Sequence, residues 1–253
     1  MNKSKIIDFE FHENEQGFVT VDKYYGHDKV AYIPNKILGK DIVEINPEIF
    51  YGNQHVKIVI LNDKITSISD DFFLGNSDLI LYTPLDENQC KFENSNNVFI
   101  RYGLKELISV NFIYYAVFKD EAIIYDHSTL DFLNESHGRM GEDILLEDEI
   151  EGRKVTKIEF YGLSAMYNVR RILLPTHLTH INSYGLSNST MLEYLYISQN
   201  VEYLGQSALE GCRSVRDIIV GTSVKTIGRG CFKGCEISSI YFEDMKDVIL
   251  NTN

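Results

Sequence analysis

The chain has 253 residues, of which 44% are hydrophobic, and carries a formal net charge of -13 with a pI near 5.0. That apolar content supplies a full core and argues against disorder, while the negative field repels phosphate backbones and anionic lipid, so nucleic acid is not expected as a partner. No stretch reaches the roughly 18 apolar residues of a membrane helix, and after Lys3 and Lys5 only Ile6 and Ile7 precede Asp8, so neither a membrane span nor a signal peptide is expected. The expected location is cytoplasmic, or the cell surface or medium if a leader has been trimmed.

Charge is spread unevenly along the chain. Residues 1–154 hold 28 acidic and 15 basic side chains, whereas residues 155–253 hold nine of each. The net charge therefore sits in the first part, and the later part is neutral.

In chain order, the first feature is Ile33-Pro34 followed by Ile37-Leu38-Gly39-Lys40-Asp41-Ile42-Val43-Glu44-Ile45. A copy of a longer pattern starts inside it, with apolar residues at Ile42, Ile45, Phe50, Val56, Val59 and Leu61. A second copy begins with Ile65, Ile68, Phe73 and Leu79 and then degrades. Residues Asn88 to Asn111 fit no copy. The acidic run Glu142, Asp143, Glu147, Asp148, Glu149 and Glu151 follows and reads as a solvated lead-in, with a cation or basic-partner site as its rival. The first segment then returns in the second half of the chain, as Ile150-Glu151-Gly152-Arg153-Lys154-Val155-Thr156-Lys157-Ile158.

From Val155 the pattern is regular, with copies starting at Val155, Leu178, Val201 and Val224. Apolar residues recur at positions 1, 4, 9, 15, 18 and 20: Val155, Ile158, Leu163, Val169, Ile172 and Leu174, then Leu178, Ile181, Leu186, Leu192, Leu195 and Ile197. The third copy has Val201, Leu204, Leu209, Val215, Ile218 and Val220. The last keeps Val224, Ile227 and Phe232, and is one residue short before Ile237, Ile240 and Phe242. Alternation at positions 18 and 20 marks a short strand with one face inward. Each copy supplies one such strand in the same direction, so the strands stack in parallel, and a single copy cannot bury its own apolar face.

The pattern V-x-x-I-x-x-x-[AGC]-[FL]-x-x-C-x-x-[LV]-x-x-I-x-[IV] resembles the BspA-like leucine-rich repeats. Val201 to Val220 carries it best, with Ala208, Leu209 and Cys212, and Val224 to Cys235 follows with Cys231 and Phe232. Position 12 departs from cysteine at Asn53, Asn76, Met166 and Ser189. The lead-ins at Ile33 and Ile150 resemble the I-P-x-x-I-x-G-K segment with which family members often begin after a β-hairpin. The resemblance implies a leucine-rich-repeat solenoid, a β-rich right-handed superhelix of stacked short parallel strands with short helical or irregular returns and β-hairpin lead-ins. It spans residues 9–87 and 112–246. Two tandem units are expected, 1–108 with two repeats and 109–253 with four. For exported members the resemblance implies adhesion or matrix binding.

Candidate chemistry is sparse. Cys212 and Cys235 share a repeat position, so their coils place them about 5 Å apart. That permits a disulfide, although a reduced core ladder is expected for a chain without a signal peptide. Cys231 and Cys235 offer only half a zinc set, and His177 and His180 lack a third ligand, so no metal is expected. The glycines Gly228, Gly230 and Gly234 suit tight turns rather than a phosphate loop. No nucleophile, base and orienter are assembled by any motif, so neither an enzyme nor a cofactor is expected. The rival is an enzyme using the Asn88 to Asn111 segment with the acidic run.

The positive signal lies at positions 17 and 19, which flank the inward position 18. These are Arg171 and Leu173, Tyr194 and Tyr196, Asp217 and Ile219, then Ser239 and Tyr241, with Ile58 and Ile60 as equivalents in the first unit. They are expected to face outward. Arg171, Leu173, Tyr194, Tyr196, Asp217, Ile219 and Tyr241 form the candidate binding site for a protein partner, rimmed also by Arg216. The competing reading is that apolar neighbours on adjacent strands merely stabilise the sheet.

Overall fold

The structure, a computed structural model, describes residues 5–73, 76, 79–92, 99–128, 142–242 and 249–250. Part of the unassigned segment, residues 93–98, lies outside these, as do the side chains of Phe73, Glu142 and Phe242. The chain divides into two compact units, Met1–Lys105 and Glu106–Asn253.

The first unit holds β1 (Phe9–Glu13), β2 (Val19–Tyr24), β3 (Val30–Tyr32), β4 (Lys36–Ile37), β5 (Lys40–Ile45), β6 (Ile58–Ile60), β7 (Ser67–Ile68), β8 (Ile80–Tyr82), β9 (Lys91–Phe92) and β10 (Phe99–Arg101). The β1–β2 hairpin is antiparallel, and β2 then runs parallel to β5. A second sheet has the order β10-β8-β6-β3, parallel throughout.

The second unit repeats this plan at greater length. It holds β11 (Glu106–Val110), β12 (Ile113–Val117), β13 (Ala122–His127), β14 (Glu142–Leu145), β15 (Glu149–Ile150), β16 (Arg153–Ile158), β17 (Val169–Leu173) and β18 (His180–Ile181). Then come β19 (Tyr194–Ile197), β20 (Tyr203–Leu204), β21 (Asp217–Val220), β22 (Thr226–Ile227), β23 (Ser239–Phe242) and β24 (Ile249–Leu250). One sheet runs β11-β12-β13-β16-β18-β20-β22-β24 and the other β14-β17-β19-β21-β23. Among the described residues the only helical segments are three short 3-10 turns, so the returns are turns rather than helices.

The two lead-in segments are hairpins for a local reason. Leu38 and Gly39 have φ of 50° and 81°, and Glu151 and Gly152 have 49° and 70°. Two consecutive positive φ values make the two-residue turn whose twist matches antiparallel strands, here β4–β5 and β15–β16.

Register confirms the period in space. Lys157, His180, Tyr203 and Thr226 lie opposite one another in successive strands, as do Arg171, Tyr194 and Asp217. The next partner of Asp217 is Ser239, one position short of a full period, which marks the short last copy. All six inward columns of the Leu178 and Val201 copies are buried, while Leu174 in the Val155 copy is half-buried.

The turns between the two sheets follow a rule of their own. Tyr161, Tyr184, Ser207 and Gly230, equivalent positions of successive copies, have φ between 53° and 63°. Ala165, Asn188, Gly211 and Gly234 form a second such column, with φ between 58° and 77°. This left-handed backbone costs an L-residue roughly 1–2 kcal/mol. Bonds between coils offset it: the return arm donates forward, from Leu163 N to Gly185 O at 2.8 Å and from Leu186 N to Ala208 O at 2.8 Å, and again from Leu209 N to Cys231 O at 2.8 Å. The strand side donates backward, as in Gly205 N to Ile181 O and Gly228 N to Leu204 O, both 2.7 Å.

Position 12 has a shared chemistry despite its varied residues. Asn53 Nδ2 donates to Gly26 O at 2.9 Å, and Asn76 Nδ2 to Phe50 O at 2.8 Å. Ser189 Oγ reaches Leu163 O at 3.4 Å, Cys212 Sγ reaches Leu186 O at 3.2 Å and Cys235 Sγ reaches Leu209 O at 3.0 Å. In these copies the position holds a short donor that satisfies a carbonyl of the preceding coil, cysteine being one solution among three, whereas the Val155 copy fills it with the buried apolar side chain of Met166.

One expectation fails. Ile58 and Ile60, placed outward by the repeat frame, are buried along with Val59. The run Ile58-Val59-Ile60 is apolar at every position, which is the signature of a strand buried on both faces rather than an alternating one.

Two measurements test this architecture. Ile218→Ala, at a fully buried column, should lower urea-unfolding stability by about 2–5 kcal/mol, whereas Ile219→Ala beside it should stay within about 0.5 kcal/mol. Gly205→Ala should destabilise by about 1–3 kcal/mol or more, because a Cβ there would lie 2.4 Å from Ser183 N.

Candidate interaction face

The outward side of the β14-β17-β19-β21-β23 sheet is the site to which the repeat brings its variable residues. Strand alternation sends Ile172, Leu195 and Ile218 inward and sends positions 17 and 19 to the other side. Parallel pairing then stacks equal positions. Leu145 lies opposite Leu173, Tyr196 opposite Ile219, and Ile219 opposite Tyr241. Leu173, Tyr196, Ile219 and Tyr241 are 48%, 44%, 40% and 58% exposed, which is high for large apolar groups in a sheet interior column.

The neighbouring column is polar and internally paired. It runs Asp143, Arg171, Tyr194, Asp217 and Ser239. The guanidinium of Arg171 lies 3.6 Å from the Asp143 carboxylate and 5.3 Å from the centre of the Tyr194 ring. Arg171 is therefore fixed from both sides along the column. Arg216, expected at the rim, bonds Glu236 at 2.8 Å and the carbonyl of Arg213 at 3.1 Å. All seven predicted site residues thus share one sheet face.

Leu145 extends that row, and sequence reasoning missed it. It is 67% exposed and opens the row, yet it sits inside the acidic run. The offset between the two lead-ins, which carries Ile37 onto Ile150, also carries Tyr32 onto Leu145, and that was the available signal. Within the run Asp143, Asp148, Glu149 and Glu151 are exposed and Glu147 is half-buried, while the apolar residues between them point inward. Ile144, Leu146 and Ile150 are buried, Asp143 is paired with Arg171, and Asp148 accepts the backbone N–H of Thr176.

The other candidate groups have structural partners. His180 bonds Thr179 Oγ1 at 2.8 Å and lies against Tyr203 with ring centres 5.6 Å apart, while His177 is half-buried on the same turn. All four cysteines are free thiols. The hydrogen bond that the Cys212 thiol donates to Cys235, followed by burial, pushes Cys212 well above its ordinary range, and burial pushes Cys231 up to about 12. Such thiols are poor nucleophiles at neutral pH. Across coils, Lys225 beside Glu202 and Lys233 beside Glu210, each at 2.9 Å, hold those carboxyls below the usual range. These pairs are largely exposed and add little stability. Among the described residues no three His, Cys, Asp or Glu side chains converge to hold a metal. No described helix is long and apolar enough to cross a membrane.

The arrangement suits recognition. A hydrogen-bonded sheet presents apolar and aromatic side chains without ordering a loop, and an adjacent polar column supplies direction. Its counterpart in the first unit is closed, because Val30, Ile58 and Ile80 are buried in the corresponding column.

Comparison with known proteins places this architecture. The sequence matches the BspA type leucine rich repeat region in six copies, over residues 24–120 and 146–252. Compared with curated proteins, it finds no match. Among solved structures it is similar to a T. pallidum leucine-rich repeat protein at 15% identity and a TM-score of 0.35, covering 96% of this chain and 83% of that one. A leucine-rich cell surface protein from Faecalibacterium prausnitzii is 10% identical with a TM-score of 0.40, over 97% and 96% of the two chains. A leucine-rich repeat protein from Eubacterium ventriosum is 12% identical with a TM-score of 0.41, over 92% and 82%. The family pattern covers most of the chain, and its period is the period at which the strands stack: this protein belongs to the BspA-type leucine-rich repeat family.

Proposed function

We propose that the chain is a non-enzymatic protein-binding scaffold that engages a protein partner through the outward face of the β14-β17-β19-β21-β23 sheet. The observation that supports this most directly is the row Leu145, Leu173, Tyr196, Ile219 and Tyr241, apolar or aromatic at every rung and left exposed. The inward columns already account for the core, so the fold does not need these groups to be large. Arg171, Tyr194 and Asp217 beside them supply charge and hydrogen-bonding groups at fixed spacing, the mixture found in interface hot spots.

A photo-reactive residue at position 219 should form an adduct with one defined protein partner, and the same probe at position 202, on the β18-β20-β22 side, should not. Tyr196→Ala combined with Tyr241→Ala should remove the adduct and leave the thermal midpoint nearly unchanged. Equal adducts at both positions, or a lower midpoint with unaltered capture, would instead mean that the row only stabilises the sheet.

A further inference from the structure

The first unit carries a pair of histidines off the repeat period. His27 and His55 are separated by the same offset as Val30 and Ile58, so they continue the register of β3 and β6 beyond the strand ends. Both are exposed. Their ring centres are 5.1 Å apart and their planes perpendicular. Asn53 fixes the two loops that carry them: its Nδ2 donates to Gly26 O at 2.9 Å, next to His27, and its Oδ1 accepts the N–H of His55 at 3.0 Å and of Val56 at 3.2 Å. The backbone on both sides is therefore held before any ligand arrives.

That separation has a coordination meaning. With a metal–nitrogen bond of about 2.0–2.1 Å and a ring centre about 1.1 Å behind the nitrogen, two imidazoles on one ion have centres roughly 4.5 Å apart at a right angle and about 5.2 Å apart at the tetrahedral angle. The observed spacing falls inside that interval. Edge-to-face packing of the rings would give a similar distance, and metal titration separates the two.

We infer that His27 and His55 form a two-histidine site for a divalent first-row ion that favours imidazole, with Cu2+ held more tightly than Ni2+ or Zn2+. No third protein ligand of the usual kinds converges on the pair among the described residues, so water completes the coordination and the ion exchanges readily. The net charge of -13 raises the local concentration of cations around the chain. The site is independent of the outward face in the second unit.

The test is a Cu2+ titration of the untagged full chain by calorimetry, with pulsed electron paramagnetic resonance to count imidazole nitrogens on the copper. The expected result is one ion per chain with two imidazoles. His27→Ala and His55→Ala should each weaken Cu2+ at least tenfold and leave one imidazole, while His12→Ala and His177→Ala change nothing. Both target side chains are exposed, so the variants should keep the wild-type thermal midpoint without metal. His27→Gln and the wild-type spectrum serve if one of them does not. Unchanged affinity in both variants, or fewer than two imidazoles in the wild type, would overturn the site and leave the two rings as a packing pair.

Discussion

Every coil in this protein leaves backbone groups that only the next coil can satisfy, and the rest of the structure follows from that requirement. A buried N–H or C=O without a partner costs about 1–3 kcal/mol, so the spacing between equivalent residues cannot drift. Return arms and strands both donate to neighbouring coils, which locks the copies at a single period wherever both sides are paired. The two columns of left-handed residues, the donors at position 12 and the close approach of Gly205 to Ser183 are local answers to the same demand.

The demand falls on the backbone and the inward columns and leaves outward positions free. In the second unit that freedom is used by an exposed row of leucine, isoleucine and tyrosine beside a polar column. In the first unit the equivalent residues Ile60 and Tyr82 are buried and Tyr32 is half-buried. Two units built on one plan therefore present different surfaces. Family membership accounts for the plan, and the outward residues account for whatever is particular to this chain.

Much of this was legible in the sequence, and the part that was not has identifiable causes. The period, the inward columns and the short last copy follow from spacing, since Leu195 or Ile218 can occupy an inward position for one reason only, while the hairpin lead-ins were implied by the family resemblance. The left-handed columns were invisible because Tyr161, Tyr184, Ser207 and Gly230 share a backbone conformation and no side-chain property. Position 12 looked like a lapse of pattern because Asn53, Ser189 and Cys212 share a donor rather than hydrophobicity. Ile58 and Ile60 were misplaced because the repeat frame supplies the direction of a side chain, not what lies beyond it. Leu145 was hidden by its acidic neighbours, and His27 and His55 by an offset that is not the repeat length.

The last copy carries a consequence for motion. Its inward residues Phe232, Cys235, Ile237 and Ile240 are only half-buried, whereas their equivalents two copies earlier, Leu186, Leu192 and Leu195, are closed off. In a chain whose coils touch only their neighbours, opening is a nearest-neighbour process that begins where an interface is incomplete and advances one coil at a time. Amide protection in the second unit should therefore form a gradient, shallow at β23 and deepest between β16 and β19. Opening of the second unit would then proceed in steps of one coil.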